Sequence, residues 1–418
     1  MKQFILLNRV KVQNANAIAG FTWGFPAVTN FLGFTHNLSR KISKKNEYED
    51  IHLLGCAVIA HNHQVHAYQP VERKEFPKGS GDYKNFIGDV HFSQSRNPAY
   101  QHKEEGKYKV GTPPVIEEGK MNMTVSLLIA YEGDLAAQGN EFCDWIKSLC
   151  LTQRLAGGTI LDIADVSIKD IDEDYDGRSE LQKLKRKLLP GFILKDRSDY
   201  LTAHYEYLQK ENANTELLEV WLDFSALKRK ARPKCDLIFQ HLQQQVKTKK
   251  LDESVLELWL DHLDRTYNKE DIPERVKEHF TILDKKGSED DLLAQWQAYY
   301  QPDEQTLADW EYLKKPNSGW LVPIMTGYKA ISALYDKADV KGIRAKDDDD
   351  SVEKVSFVES VHSIGEWLSV HKLSMEGSDS FEKLEDCIWR YAPYEKDWYL
   401  CTQESTQQAQ NKTNKPQY

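Results

Sequence analysis

This sequence lacks an excess of positive charge, paired cysteine motifs and long apolar runs. Its 55 Lys and Arg residues against 65 Asp and Glu give a net charge of −10. That argues against a generic polyanion binder, so any nucleic-acid surface has to be a local basic groove on an acidic body. The six cysteines, at positions 56, 143, 150, 235, 387 and 401, form no C-x-x-C pair and read as reduced thiols of a cytoplasmic protein. No stretch approaches the ~18 apolar residues of a membrane span. The N-terminus has only four consecutive apolar positions, Phe4 to Leu7, too few for a signal peptide. Metal-ligand spacing is also missing. His61, His63 and His66 have no Cys or carboxylate ligand beside them and read as polar residues at a strand end, His61 and His63 on one face and His66 on the other. No metal or cofactor is expected.

Hydrophobic content of 40% with 11% aromatics over 418 residues supports a real core and two or three domains. Phe4 to Val12 reads as a first buried strand. Gln13 to Leu38 follows as an amide- and aromatic-rich loop leading into a helix, with Phe31, Leu32, Phe34, Leu38 and Ile42 at helical spacing. Ile51 to Ala60 and Met121 to Tyr131 are apolar runs of strand length. Leu135 to Leu151 is a second helix whose Cys143, Ile146 and Cys150 share one face. A short β-like run, Thr159 to Leu161, comes next. This β-α-β, β-α-β order predicts an α+β protein with a ferredoxin-like, RNA-recognition-like domain.

Residues 69–119 read as a long loop or protruding hairpin on the 1–199 part. It interleaves Arg73, Lys74, Lys78, Lys84, Arg96, Lys103, Lys107 and Lys109 with Phe76, Tyr83, Phe86, Phe92 and Tyr100, a mixture suited to single-stranded RNA, with solvated loop chemistry as the competing account. Residues 200–315 change character. Gly287 is their only glycine and helical periodicity recurs, which predicts an inserted α-helical domain. Residues 201–315 hold 17 basic and 23 acidic side chains, a net 17 − 23 = −6, yet Lys228 to Lys250 carries eight cations against one acid, Asp236. Residues 316–402 return to the β-containing part, with strand-like Trp320 to Ile324 and Val355 to Glu359. Residues 403–418 read as a disordered tail.

Five blocks, in order, resemble one known family. They are Gln13 to Leu38, Arg154-Leu-Ala-Gly-Gly-Thr-Ile-Leu161, Lys187-Leu-Leu-Pro-Gly-Phe-Ile-Leu194, Gly319-Trp-Leu-Val-Pro323 with Gly327-Tyr328, and Phe357-Val-Glu359 with Gly365-Glu-Trp-Leu-Ser369. The family is that of the second subunit of the Csy complex, the type I-F CRISPR surveillance complex. It belongs to the fifth Cas family of RNA-binding proteins, in the RAMP superfamily. The resemblance implies a non-catalytic subunit that grips the repeat-derived 5′ handle of a CRISPR RNA. Its expected partners are the large subunit and the repeated backbone subunit, with target double-stranded DNA reached through the complex in antiviral defense.

Within or beside these blocks the residues with the right chemistry for RNA are Asn14, Asn16, Trp23, His36, Arg40, Arg154, Gly157, Gly158 and Arg186. Asn14 and Asn16 offer donors and acceptors, Trp23 a stacking face, and Arg154 a permanent charge. Gly157 and Gly158 allow backbone N–H groups to approach a ligand, although a helix C-cap also accounts for paired glycines. Lys228, Arg229, Lys230, Arg232 and Lys234 form a candidate patch for duplex phosphates, with a solvated helix face as the competing account. Two other functions compete with the RNA-binding subunit. A metal-independent endoribonuclease would draw its acid and base from His36, His61, His63, His66 or His91. A helical scaffold without RNA contact would leave the Arg154 loop unexplained.

Overall fold

The structure, a computed structural model, describes residues 2–20, 22–68, 71–75, 83–87, 91–92, 94–96, 100–104, 107–111, 115–117, 119–135, 139–171, 177–265, 267–285, 290–341, 354–378, 380–392 and 397–403. They form an α+β protein. Ten strands of the described residues make one sheet: β1 (Lys2–Asn16), β2 (His52–Val65), β3 (Lys120–Glu132), β4 (Arg154–Leu155), β5 (Gly158–Ile171), β6 (Phe192–Asp196), β7 (Leu321–Ala330), β8 (Val358–Ser369), β9 (Arg390–Ala392) and β10 (Trp398–Thr402). Their spatial order is β4-β5-β1-β3-β2-β6-β8-β7-β10-β9, with every pairing antiparallel.

The central strands are apolar in both parities because the sheet is covered on both faces. Along β1, Ile5, Leu7, Val10 and Val12 pack under α1 (Val28–Ile42) and α2 (Gly139–Leu151). Phe31, Leu32, Leu38, Phe142, Ile146 and Cys150 are the helices' contributions. Phe4 and Leu6 point the other way and join Ala57, Ile59 and Leu128 under α3 (Gly177–Leu188), which supplies Leu181, Leu184 and Leu188. The six cysteines are unpaired thiols. Burial pushes those of Cys56, Cys150, Cys387 and Cys401 up to about 12, so they serve as packing groups.

The chain divides into two compact units, one of Met1–Trp221 with Ser318–Tyr418 and one of Leu222–Asn317. In the first, α4 (Ser198–Glu211) follows β6, and α5 (Leu217–Ser225) runs across the sequence boundary. The second has its own core, in which Ile238, Leu242, Trp259, Phe280, Trp296 and Tyr299 pack between α6 (Asp236–Lys247), α7 (Glu253–Asp264), α8 (Glu274–Asp284) and α9 (Asp290–Tyr300). It also holds a two-stranded ladder, Arg229–Pro233 against Ala308–Tyr312, where helices alone were expected. Among the described residues no helix is long and apolar enough to cross a membrane.

Between β2 and β3, short strands pair antiparallel, including Val71–Glu75 with Tyr83–Ile87 and Tyr100–Glu104 with Lys107–Gly111. The side chains of the basic and aromatic set expected there lie outside the described residues, as do Lys346 to Asp350 and 404–418. Two expectations about extent are corrected. The run at Thr159 is a 14-residue strand, not a short one, because β1 offers it a partner along nearly its whole length. Gln403, assigned by sequence to a loose tail, is buried. Its amide donates to the carbonyls of Leu194 (2.8 Å) and Cys387 (3.0 Å) and accepts from the Asp196 N–H (2.8 Å).

Candidate nucleic-acid interface

Two bulges interrupt β1 where it pairs with β3, between Leu7 and Val10 and between Val12 and Ala15. Arg9 and Asn14 lie in them with φ of 50° and 56°, unusual for residues other than glycine. Against the second bulge sits the Arg154 loop. It is neither a helix cap nor an open loop but the tip of a β-hairpin, with Arg154 opposite Thr159 and Leu155 opposite Gly158. Ala156 and Gly157 at the tip have φ of 51° and 75°, the backbone that a two-residue type I′ turn demands. The hairpin docks on β1 through the Asn16 N–H, which donates to the Ala156 carbonyl at 2.8 Å. The two glycines differ. A Cβ on Gly157 would meet open space, whereas one on Gly158 would fall 2.6 Å from the Gln13 carbonyl oxygen and 2.7 Å from the Ala15 nitrogen.

Beyond α3 the sheet face that carries Phe4 and Leu6 turns polar. Lys11, Gln13, Asn62, Gln64, Asn122 and Thr124 line a shallow groove of about 220 Å³ there. They alternate with Val12, Val65, Met121 and Met123, which remain on the other face. Asn14 stands at the rim, its N–H donating to Asn122 Oδ1 at 3.2 Å. The charge of this strip is nearly balanced. Lys11 lies 3.5 Å from Asp162 with both side chains more than half exposed, and Lys187 of α3 binds Asp165. That hydrogen bond holds the Asp165 carboxyl below its usual range.

A partly buried polar joint, centred on the buried Ser126, separates the strip from the apolar half of the face. His61 is the extra residue of a bulge in β2, because Thr124 faces Asn62 while Val125 faces Ala60. The bulge overturns the expectation that His61 and His63 share a face. His63 stands opposite Met123, and His61 turns to the Ser126 side. Its Nε2 lies 2.7 Å from Ser126 Oγ and its Nδ1 2.7 Å from the Pro190 carbonyl oxygen. The Arg9 N–H donates to the same Ser126 oxygen at 2.9 Å, and its guanidinium donates to the Leu189 carbonyl at 2.9 Å. Burial, with Arg9 nearby, moves the His61 pKa down, so the ring is neutral near pH 7.

Comparison with known proteins decides the family. A family model described as "CRISPR-associated protein (Cas_Csy2)" matches residues 5–250 and 234–401. The CRISPR-associated protein Csy2 of Pseudomonas aeruginosa (strain UCBPP-PA14) is 27% identical over 396 residues, covering 92% of this chain and 90% of the relative. The chain belongs to the Csy2 family. The five sequence blocks point to that same family, the second subunit of the type I-F Csy complex.

The residues that the Csy2 resemblance suggested for RNA do not all come together. Asn14, Arg154, Gly157 and Gly158 gather at the hairpin and the strip. Asn16 is adjacent, but its side chain closes on Ile18, donating to that carbonyl (2.8 Å) and accepting from that N–H (3.1 Å). Trp23 lies over Gly119, where a Cβ would come 2.2 Å from its ring, and it borders a separate cavity. Arg186 is exposed on α3, over the strip's face of the sheet. His36 and Arg40 are exposed on α1, across the sheet from it. Lys11, Gln13, Asn62, Gln64, Asn122 and Thr124 were not singled out from sequence. Their signal is the alternation of polar with apolar residues at the ends of three otherwise apolar strands.

In the second unit the premise of unneutralised cations fails for three of the five candidate residues. Lys228 binds Asp223, and Lys234 lies 3.9 Å from Asp309. Arg232 is 3% exposed. It lies 2.6 Å from Glu311 and donates to the carbonyls of Leu263 (2.7 Å) and Arg265 (2.5 Å) at the end of α7. It is a structural group with no surface to offer DNA. Asp223, Asp309 and Glu311 all lie outside the Lys228–Lys250 stretch whose cations outnumber its acids. Arg229, stacked at 4.6 Å on Tyr312, and Lys230 keep exposed charges.

Proposed function

We propose that this chain is a non-catalytic subunit of a type I-F CRISPR RNA-guided surveillance complex. It binds the 5′ handle of the CRISPR RNA on the polar strip beside the Arg154 hairpin. The reading is carried by that strip, amide- and hydroxyl-rich on one half of a sheet face whose other half is apolar core. The strand order β5-β1-β3-β2, with α1 and α2 crossing between, fits the ferredoxin-like arrangement expected from sequence, in which a sheet face meets single-stranded RNA. Side-chain amides read base edges, the Gly157 backbone lies open at the hairpin tip, and Arg154 and Lys11 follow phosphates. With so few unpaired cations on the strip, binding depends weakly on salt.

Catalysis is not part of this reading. Both ring nitrogens of His61 are engaged, and the neutral ring serves as a joint between β2, β3 and the Pro190 turn. Recognition of invading duplex DNA belongs to the assembled complex with the large and backbone subunits. Arg229, Lys230, Lys247, Lys249 and Lys250 are among the exposed cations of the second unit and can meet it.

The test is binding of a 5′ handle oligonucleotide to the full-length chain. A variant with Lys11, Gln13, Gln64 and Asn122 changed to Ala should bind at least ~10-fold more weakly, since each lost polar contact contributes about 1 kcal/mol. A His36→Ala, Arg40→Ala variant should bind as the parent does. The opposite pattern moves the RNA to the α1 face.

A further inference from the structure

A cavity of about 460 Å³ opens on the α1 side of the sheet, at the end of β2. Trp23, Phe192, Trp320 and Trp367 line it, with Asn62 and His63 at the end of β2. Its rings are held in place. Phe25 stacks on Phe31 at 5.5 Å and meets Trp367 edge-on at 4.8 Å, while Phe192 meets Trp320 edge-on at 5.3 Å. Yet Trp320 is 54% exposed, Trp23 40% and Phe192 36%. Large aromatic surfaces left in water around a concave site are characteristic of a ligand pocket. His63 is also exposed, and its side chain makes no hydrogen bond to another described residue.

We propose that this cavity receives one unstacked nucleobase of the bound RNA. The face of the base lies against Trp320 and Trp23, and its polar edge is met by His63, which stands on the α1 face opposite Met123. A nucleobase matches both halves of the lining, having π-faces and a hydrogen-bonding edge. An aliphatic protein side chain would match only the rings and leave the imidazole facing hydrocarbon. Asn62 borders both the strip and the cavity where β2 runs past the end of its pairing with β6, so a strand lying on the strip passes one nucleotide round that edge to reach the cavity on the other face. The inference rests on the RNA-binding reading above.

The experiment uses the full-length chain and handle RNAs carrying 2-aminopurine at one position at a time. One position should lose fluorescence on binding through stacking, and Trp320→Ala should abolish that loss while weakening the complex about 5- to 100-fold. Trp320→Phe should keep most of both signals. An abasic nucleotide at the same position should weaken the parent protein equally and add nothing in Trp320→Ala. Trp320 is exposed, so matching thermal unfolding curves will show that the variants fold. Tight RNA binding with no responsive position and no effect of Trp320→Ala overturns the pocket and leaves the RNA-binding reading standing. If the parent chain does not bind handle RNA, both fall. Loss of binding to purified large subunit, with RNA affinity unchanged, makes the cavity a protein-docking site and overturns the proposal.

Discussion

Adjacent glycines at the hairpin tip should respond to alanine in different ways. At Gly157 a Cβ meets nothing within 4 Å, so only the φ of +75° opposes it. The left-handed backbone costs an L-residue about 1–2 kcal/mol, a strain that Ala156 already carries at φ of 51°. At Gly158 the Cβ would lie 2.6 Å from one backbone atom of β1 and 2.7 Å from another. Backbone in a paired strand cannot rotate aside, so β4 and β5 must lift from the Gln13–Ala15 bulge. Overpacking of this kind costs about 1–3 kcal/mol, and two backbone clashes put Gly158→Ala near the upper end. The damage is local and is best read by hydrogen exchange. The Asn16 amide, which donates to the Ala156 carbonyl at 2.8 Å, should exchange roughly 100-fold faster in Gly158→Ala, since about 3 kcal/mol is two powers of ten. In Gly157→Ala that amide should change by about 30-fold or less, since 1–2 kcal/mol is roughly 5- to 30-fold, while handle RNA affinity falls if the backbone there touches RNA. Equal protection of Asn16 in the parent and in Gly158→Ala would refute the close-approach argument.

Further outcomes follow from other buried groups. Arg232→Met should destabilise the second unit by about 3–5 kcal/mol, because Glu311 and two carbonyls at the end of α7 lose their charged donor; chemical denaturation followed by fluorescence of Trp259 and Trp296 checks this. His61 has a folded pKa below its ordinary 6.5, so the unfolded chain binds more protons and stability drops as pH falls below about 6.5. His262 and His362 shift the same way, so His61→Gln should remove only part of that slope in unfolding measured from pH 7.5 to about 5. The purified chain should leave repeat RNA uncut with or without divalent metal; specific cleavage lost in His36→Ala or His61→Ala would restore the nuclease reading.

Much of the α+β framework was legible because its signals are local. Phe31, Leu32, Phe34, Leu38 and Ile42 announce α1 by spacing alone, and the runs at Ile51 and Met121 have the length and composition of central strands. β5 was legible only at its start, because Asp162, Asp165, Lys169 and Asp170 give it the look of a loop. It is a strand because β1 pairs with it from Lys2–Ile171 to Gln13–Thr159. Arg154, Gly157 and Gly158 stand together in sequence, but the type I′ hairpin depends on Thr159 pairing back across the turn.

From its order of residues alone the chain specifies its alternating elements, its acidic balance and the blocks that tie it to the Csy2 family. All of these rest on neighbours in sequence. Which polar side chains share a surface was decided by the tertiary structure. A strand side chain changes face with each residue, so the single-residue bulges at Arg9, Asn14 and His61 reset every assignment beyond them. They bring Lys11, Gln13, Asn62 and Asn122 onto one groove and send His61 and His63 apart. Arg232 likewise reads as one of a run of surface cations until residues 263, 265 and 311 close around it, since burial of a charge depends on partners that chain order does not bring near.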